Sequence, residues 1–192
     1  MNGWDPVRFA DWAAAQGFRW VAVQAEELAS TPAVAVATAC RDRGVLCGVW
    51  EAAPDYGSAA PAAVGFDFYI GQVEGPGQYD RLRASLDGFR AAHPRLPAAV
   101  VTNGGGFTWP DGSPAPELAE PFVSAGFACI AEGHVREDGV DPVVRADWLR
   151  RYLGWPVVQP MAGLGGGATL DDYPGLRDQP GWSVFGAEEL WS

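Results

Sequence analysis

The feature that most constrains the fold of this chain is a regular alternation of short apolar runs with helical stretches. Seven runs have the length and the flanking turn residues of buried β-strands. We place these strands at Phe18–Gln24, Val45–Glu51, Phe66–Glu74, Pro97–Asn103, Phe127–Glu132, Pro156–Gln159 and Trp182–Ala187. Strands that alternate with helices over short links predict a parallel sheet covered by helices.

Cap residues and helical spacing predict the helices between these strands. Asp5 and Asp141 each precede a proline, the order expected of an N-cap followed by proline at the first helical position. We expect helices at Asp5–Gln16, from Ser30 or Thr31 to about Arg43, and at Gln78–His93, Glu117–Ser124 and Pro142–Leu153, with a short helical stretch near Leu170–Leu176.

This pattern favours a small (β/α)8-type TIM barrel over an open doubly wound sheet. The glycine-rich segment Gly163–Gly167 comes late in the chain and lacks the acidic residue of a dinucleotide site, so a plain loop is expected. The chain begins close to where the first barrel strand should end, so that strand is short, formed by residues 1–4, or missing. With 192 residues and no linker-like segment, residues 1–192 are predicted to form one domain.

Composition excludes several classes of function. The net charge is −11 and every basic residue is arginine, which argues against nucleic-acid or anionic-membrane partners and removes lysine chemistry. No apolar run approaches the ~20 residues of a membrane span, and the first residues do not resemble a signal peptide. Cys40, Cys47 and Cys129 show no metal-binding spacing and are expected to be buried thiols. No cofactor is predicted.

Acids and amides recur where the predicted strands end, which in a barrel is the mouth that carries the active site. The candidate catalytic residues are Glu74 as general acid, with Glu51 or Glu132 as its partner. The candidate substrate-binding residues are Gln24, Glu26, Gln72, Asn103, Gln159, Trp50, Tyr56 and Trp109, and Trp155 is a further nearby aromatic. Carboxylates, amides and aromatic rings suit a neutral polyhydroxyl ligand. Each glutamate could instead cap a helix or pair with an arginine.

A metal site is the alternative at one strand end, where Glu132, His134 and Asp138 are close in sequence. Zinc and transition-metal sites need three or four such ligands. The chain has two histidines and no further ligand motif, so no metal site is predicted, and His134 is expected to be an exposed loop residue.

Residues 5–27 resemble the opening of the family 25 lysozyme-type glycoside hydrolases and related phage endolysin-like barrels, in which a helix with a tryptophan leads into a strand. The segment Arg41–Glu51 is similar to the next unit of that family. Phe68–Glu74 is similar to the strand that carries its D-x-E motif, and Leu96–Asn103 to the strand that ends in Y-T-N. The similarity spans about Asp5–Asn103.

The resemblance implies a degenerate member, because the D-x-E motif reads Gln72-Val73-Glu74 and no aspartate matches the end of the first strand. It implies a non-catalytic module that binds a glycan or builds a phage tail. Its partners would be bacterial cell-wall polysaccharide or other virion proteins. The alternative is an active cell-wall glycosidase with Glu74 as general acid, so enzyme status is left open. A metal-dependent isomerase or aldolase is a third hypothesis. The expected location is the virion or the cell exterior, otherwise the cytoplasm.

Overall fold

The structure is a computed structural model that describes residues 5–24, 33–51, 65–75, 83, 86–136, 139–164 and 168–185. Within them lie seven strands: β1 Trp20–Gln24, β2 Leu46–Glu51, β3 Phe68–Gln72, β4 Ala98–Thr102, β5 Ala128–Gly133, β6 Val158–Gly163 and β7 Ser183–Phe185. They form one sheet in the order β1-β2-β3-β4-β5-β6-β7. The β1–β2, β2–β3, β5–β6 and β6–β7 pairs are parallel, which confirms the predicted architecture.

Four α-helices precede or connect the strands: α1 Pro6–Ala15, α2 Ala33–Arg41, α3 Pro116–Ser124 and α4 Pro142–Leu153. Residues 86–92 are also helical. Asp5 caps α1 by accepting hydrogen bonds from the backbone N–H groups of Val7 and Arg8, and Asp141 caps α4 by accepting one from Val143. Both predicted caps are therefore confirmed.

The sequence prediction differs from the structure in three elements. The sixth strand does not end at Gln159 but continues through Pro160 to Gly163, because an internal proline removes a strand signal without preventing pairing here. The stretch Leu170–Leu176 forms two separate 3-10 turns, at Leu170–Asp172 and Leu176–Asp178, and a third such turn spans Gly105–Phe107. The predicted first-strand residues 1–4 and parts of the helix at Gln78–His93 lie outside the described residues.

The described chain divides into two compact units, residues 1–72 with 81–99 and residues 73–80 with 100–192. The prediction of one domain therefore stays a prediction. In the first unit Cys40 of α2, Cys47 of β2 and Tyr69 of β3 are buried, and in the second unit so is Cys129 of β5. The three thiols are free and buried, as predicted.

Asp67 connects three elements of the first unit. One carboxylate oxygen accepts a hydrogen bond from Arg41 Nε of α2 at 2.8 Å, and the other accepts one from the backbone N–H of Cys47 at 2.9 Å. Arg41 also donates to the carbonyl oxygen of Gly65. The Asp67 side chain therefore joins the end of α2 to the beginnings of β2 and β3.

In the second unit the core is aromatic. The rings of Phe107, Phe122, Phe127 and Trp155 make edge-to-face contacts with centroid separations between 5.1 and 5.9 Å. The indole N–H of Trp155 donates to the carbonyl oxygen of Phe127. No helix among the described residues has the length and apolar character needed to cross a bilayer.

Replacing Asp67 by alanine should lower the free energy of unfolding by about 1–3 kcal/mol, because the buried N–H of Cys47 would lose its acceptor. Urea denaturation of the two proteins measures the difference. Asp87→Ala is the matched control, since Asp87 is exposed on the helical segment 86–92 and alanine favours helix there. Equal stability of the Asp67 variant and the wild type would contradict this role.

Candidate active site

The second unit presents a row of side chains across three neighbouring strands. Glu132 of β5 is in register with Met161 of β6, and Met161 is in register with Ser183 of β7. Registered residues of parallel strands direct their side chains to the same face. A side chain at Gly133, which points the other way, would meet the backbone of Pro142 at 2.7 Å. The Glu132 row (Glu132, Met161 and Ser183) therefore lies on the face opposite α4, which we call the inner face.

Glu132 is a buried carboxyl group with few donors around it. The residue is 1% exposed. Its Oε1 lies 2.9 Å from Nε2 of His134, while Oε2 accepts no hydrogen bond from a donor among the described residues. Its backbone carbonyl accepts a hydrogen bond from Nη1 of Arg145 at 2.8 Å, which fixes the end of β5 but leaves the carboxyl group without a guanidinium partner there.

Burial raises the pKa of Glu132 above its ordinary value, because the charged form is poorly solvated. The hydrogen bond and the charge of His134 act in the opposite direction. The nearby carboxyl group of Glu74 raises the Glu132 pKa further, because two negative charges close together repel each other. Glu74 itself is exposed. The pair thus combines a buried carboxyl group that favours the protonated form with a carboxyl group open to solvent.

The ring of His134 packs against Gly163, in the space that a side chain at position 163 would fill. A Cβ built on Gly163 would lie 2.1 Å from Nδ1 of His134 and 2.3 Å from Cε1, so the ring packs directly on the glycine backbone. The His134 side chain is 19% exposed. The expectation of an exposed loop histidine is wrong, because Glu132 and Gly163 together hold this ring against the sheet.

Tyr173 fixes the backbone on both sides of His134. Its hydroxyl group accepts a hydrogen bond from the N–H of Val135 at 3.3 Å and donates to the carbonyl oxygen of Gly163. The same oxygen lies 3.4 Å from the carbonyl oxygen of Gly133. Tyr173 is 2% exposed. This buried hydroxyl group connects the ends of β5 and β6 through the backbone of the residues on either side of His134.

Two glycines after β4 position the segment that carries Glu74. A Cβ on Gly105 would lie 2.9 Å from the carbonyl oxygen of Glu74, and one on Gly106 would lie 2.5 Å from Cγ1 of Val73. The Asn103 side chain accepts a hydrogen bond from the N–H of Gly105 at 2.8 Å. The predicted ligand residue Asn103 thus shapes the turn that lies against Glu74.

Of the candidate residues in the second unit, Glu74 and Glu132 are near enough for their charges to interact. Gln159 is not at a strand end. It lies near the beginning of β6, and its amide occupies the space where a side chain at Gly181 would be. Trp109 is 43% exposed, in the loop before α3. Trp155 is buried and bonded to the beginning of β5, so it belongs to the core.

The other described candidates belong to the first unit. Glu51 accepts a hydrogen bond from the hydroxyl group of buried Tyr69 at 2.7 Å. Trp50 and Gln72 are each 8% exposed, and Gln24 is half-buried at the end of β1. Their roles in a site stay predictions. Glu26, Tyr56 and Asp138 lie outside the described residues.

Sequence reasoning missed four residues of the inner face and its support: Met161, Gly163, Tyr173 and Ser183. Because of Pro160 the predicted strand ends at Gln159, so the second half of β6, which contains Met161 and Gly163, was missed. Alternation along β6 would have placed Met161 and Gly163 on one face had the strand bounds been right, but only the register between β6 and β7 brings Ser183 beside Met161. No group of three or more potential metal ligands occurs among the described residues.

The fold is similar to that of several solved enzymes. KGPDC from Streptococcus mutans matches with a TM-score of 0.59 at 12% identity, covering 97% of this chain and 83% of that one. Orotidine 5'-monophosphate decarboxylase from Methanocaldococcus jannaschii matches with a TM-score of 0.59 at 12% identity, covering 100% and 89%. D-psicose 3-epimerase from Clostridium cellulolyticum H10, solved with D-tagatose, matches with a TM-score of 0.54 at 10% identity, covering 94% and 78%.

No family model and no curated protein matches the sequence. At identities this low the structural likeness shows the fold alone. The chain has a small α/β fold of the TIM-barrel type, as predicted.

The resemblance to family 25 lysozymes is wrong, because these structural neighbours belong to barrels unrelated to that family. The motifs that carried it were a helix followed by a strand, a glycine before a strand and an aromatic residue near a strand end. Any strand–helix unit of a barrel provides such features, so they do not distinguish one barrel family from another.

The raised pKa of Glu132 predicts how stability depends on pH. A group whose pKa is higher in the folded chain binds its proton more tightly there, so its contribution is full below the unfolded value of 4.5 and is lost as pH rises through the folded value. Glu132→Gln cannot ionise. We expect the variant to gain stability relative to the wild type as pH rises above 4.5, measured by urea denaturation.

Glu117→Gln is the control for this comparison, because Glu117 is exposed on α3. Its stability difference from the wild type should stay nearly constant over the same range. A Glu132 variant that loses stability relative to the wild type as pH rises would show that the buried carboxyl group is stabilised in its charged form.

Replacing Gly163 by alanine should displace the His134 ring from Glu132 and cost about 1–3 kcal/mol of stability, as overpacking does. The imidazole resonances in NMR spectra report the displacement. In a His134→Ala background the same change should cost much less, because the ring that the methyl group meets is gone. Gly88→Ala is the control, since a Cβ there meets nothing within 4 Å. Equal costs in the two backgrounds would refute the contact.

Proposed function

We propose that this chain is a barrel enzyme that catalyses proton transfer on a small carbonyl compound, with Glu74 and Glu132 as its acid–base pair. The observation that carries the proposal is that Glu132, buried at the end of β5 and 2.9 Å from Nε2 of His134, is near enough to the exposed Glu74 of the same unit for their charges to interact. Burial and the nearby charge of Glu74 both favour the protonated form of Glu132, which makes Glu132 suited to act as an acid.

Their different surroundings give Glu132 and Glu74 different roles in the proposed reaction. Glu132 keeps its proton because it is buried, and it can donate a hydrogen bond or the proton itself to an oxygen that becomes negative during the reaction. Glu74 is exposed and reaches molecules that arrive from solvent, so it is the group that removes a proton from carbon. Such a reaction is an isomerisation, an epimerisation or another step that begins next to a carbonyl group.

His134 acts as a positioning residue in this scheme. Its Nε2 is 2.9 Å from Glu132 and its ring lies on Gly163. A ring held in this way orients the carboxyl group of Glu132. The hydroxyl group of Tyr173 in turn holds the backbone on either side of the ring.

Two further observations argue against a lysine Schiff base and against Cys129 as a nucleophile. The chain has no lysine, so a Schiff base on a side chain is excluded. Burial raises the pKa of the Cys129 thiol in the same strand as Glu132, so this group is a poor nucleophile. The similar folds include a decarboxylase and an epimerase, proteins that act on small molecules.

The glycan-binding and virion hypotheses have no support from the fold or from the comparisons. A cell-wall glycosidase is not favoured either, because the family resemblance that motivated it is wrong. If the protein bound a sugar without converting it, that result would favour the non-catalytic hypothesis.

Proton transfer can be tested without knowing the substrate. The full chain is incubated in D2O with D-tagatose, dihydroxyacetone, dihydroxyacetone phosphate and pyruvate, and the loss of C–H signals is followed by proton NMR. We expect exchange with at least one compound and a decrease of about 100-fold or more in Glu132→Gln and in Glu74→Gln. Because Glu132 acts protonated, the rate should fall as pH rises through its raised pKa.

Glu117→Gln should exchange at the wild-type rate. Exchange that is equally fast in the Glu132 and Glu74 variants would remove these residues from catalysis. Absence of exchange with all four compounds would overturn proton transfer next to a carbonyl group.

A further inference from the structure

Ser183 has an unusual environment for a serine in the interior. It is 7% exposed at the first position of β7, and its Oγ has no hydrogen-bond partner among the described residues. A buried hydroxyl group without a partner costs free energy, so such groups are rare and call for an explanation. Alanine would fill the same place without that cost.

The position of Ser183 relates it to the proposed catalytic pair. It belongs to the Glu132 row, separated from Glu132 by Met161. Neighbouring strands are about 4.8 Å apart, so the backbones of β5 and β7 are separated by about 10 Å. Glu132 Oε2 likewise has no donor among the described residues. Two buried polar atoms that lack partners thus stand at the two ends of one row.

The rows of residues on either side of the Glu132 row are built differently from it. Toward the strand ends, the ring of His134 lies over Gly163. Toward the strand beginnings, the amide of Gln159 lies over Gly181, whose Cβ would be 2.9 Å from Nε2. In both flanking rows a large polar side chain uses the space of a glycine. In the Glu132 row the middle residue is Met161, an apolar side chain 7% exposed.

We propose that Ser183 is the second binding point of the same site, where it exchanges hydrogen bonds with a hydroxyl group of a small, neutral, polyhydroxylated carbonyl compound. The inference rests on the proposed function and names the substrate class. The carbonyl end of the molecule lies at Glu132 and Glu74, its carbon chain passes Met161, and a hydroxyl group further along reaches Ser183.

The chemistry of the inner face favours a neutral molecule. A serine hydroxyl group both donates and accepts, as the hydroxyl group of a sugar does. The three rows contain two acidic or amide groups, Glu132 and Gln159, one imidazole and no arginine. A phosphate group at the Ser183 end would find no guanidinium in these rows, whereas bidentate arginine contacts are the usual means of holding one.

The test compares Ser183→Ala with Ser124→Ala, a control at an exposed position on α3. Binding of D-tagatose, D-erythrulose and dihydroxyacetone is measured by calorimetry, and C–H exchange by NMR. We expect Ser183→Ala to raise Kd and KM for the ketose that the wild type binds most tightly by about tenfold, the loss of one hydrogen bond. The maximal exchange rate should change much less.

Thermal unfolding without ligand distinguishes a binding role from a structural one. Because the hydroxyl group has no partner, Ser183→Ala should unfold at the same temperature as the wild type or higher. A variant with a lower unfolding temperature and unchanged Kd would show that Ser183 stabilises the fold and would overturn the inference. Unchanged Kd at an unchanged unfolding temperature would overturn it as well.

The remaining outcomes separate this inference from the proposed function. Exchange in the wild type that depends on Glu132 but not on Ser183 would leave the function standing and remove the second binding point. Ketose binding that Ser183→Ala weakens, without any exchange, would keep the binding point and remove the enzyme. Binding or exchange with dihydroxyacetone phosphate alone, or no binding of any neutral ketose, would overturn the substrate class.

Discussion

The burial of one carboxyl group at the end of β5 governs the chemistry of the second unit. A carboxylate removed from water without an arginine or a set of backbone donors is unfavourable, so the chain must keep it protonated or give it partners. Here the partners are an imidazole and a second carboxyl group, Glu74, and neither removes the preference for the proton. A protein that only needed a stable core would place an apolar residue at position 132. The presence of glutamate there is what makes this end of the sheet a candidate for function.

Glycines determine how the large polar groups fit around that carboxyl group. Gly163 admits the ring of His134, Gly181 admits the amide of Gln159, and Gly105 allows close approach to the backbone of Glu74. At Gly181 the backbone also has φ of +74°, which disfavours other residues independently of space. Local space and local backbone conformation therefore help to place the polar side chains on the inner face.

Much of the fold could be predicted from the sequence because its elements are short, regular and well punctuated. Asp141 and Pro142 correctly predicted the beginning of α4, and the apolar run before Glu132 correctly predicted β5. Prediction failed where a local signal contradicted the tertiary structure: Pro160 ended the predicted strand at Gln159, although β6 continues to Gly163. The site was harder, since it depends on register between strands. Glu74 was predicted as the acid with Glu51 or Glu132 as its partner, but the sequence did not decide between the two, and nothing in it brings Ser183 into the Glu132 row.

The contact between His134 and Gly163 has a consequence for the evolution of the chain. The imidazole ring and any side chain at position 163 compete for the same volume, so the two positions cannot vary independently. Descendants of a common ancestor that retain the histidine must retain the glycine, whereas those in which position 134 has become small are free to place a methyl or larger group on the neighbouring strand. The joint occurrence of the two residues, 29 positions apart (163 − 134), is therefore a signature by which distant relatives with the same site can be recognised when overall identity is too low to align them.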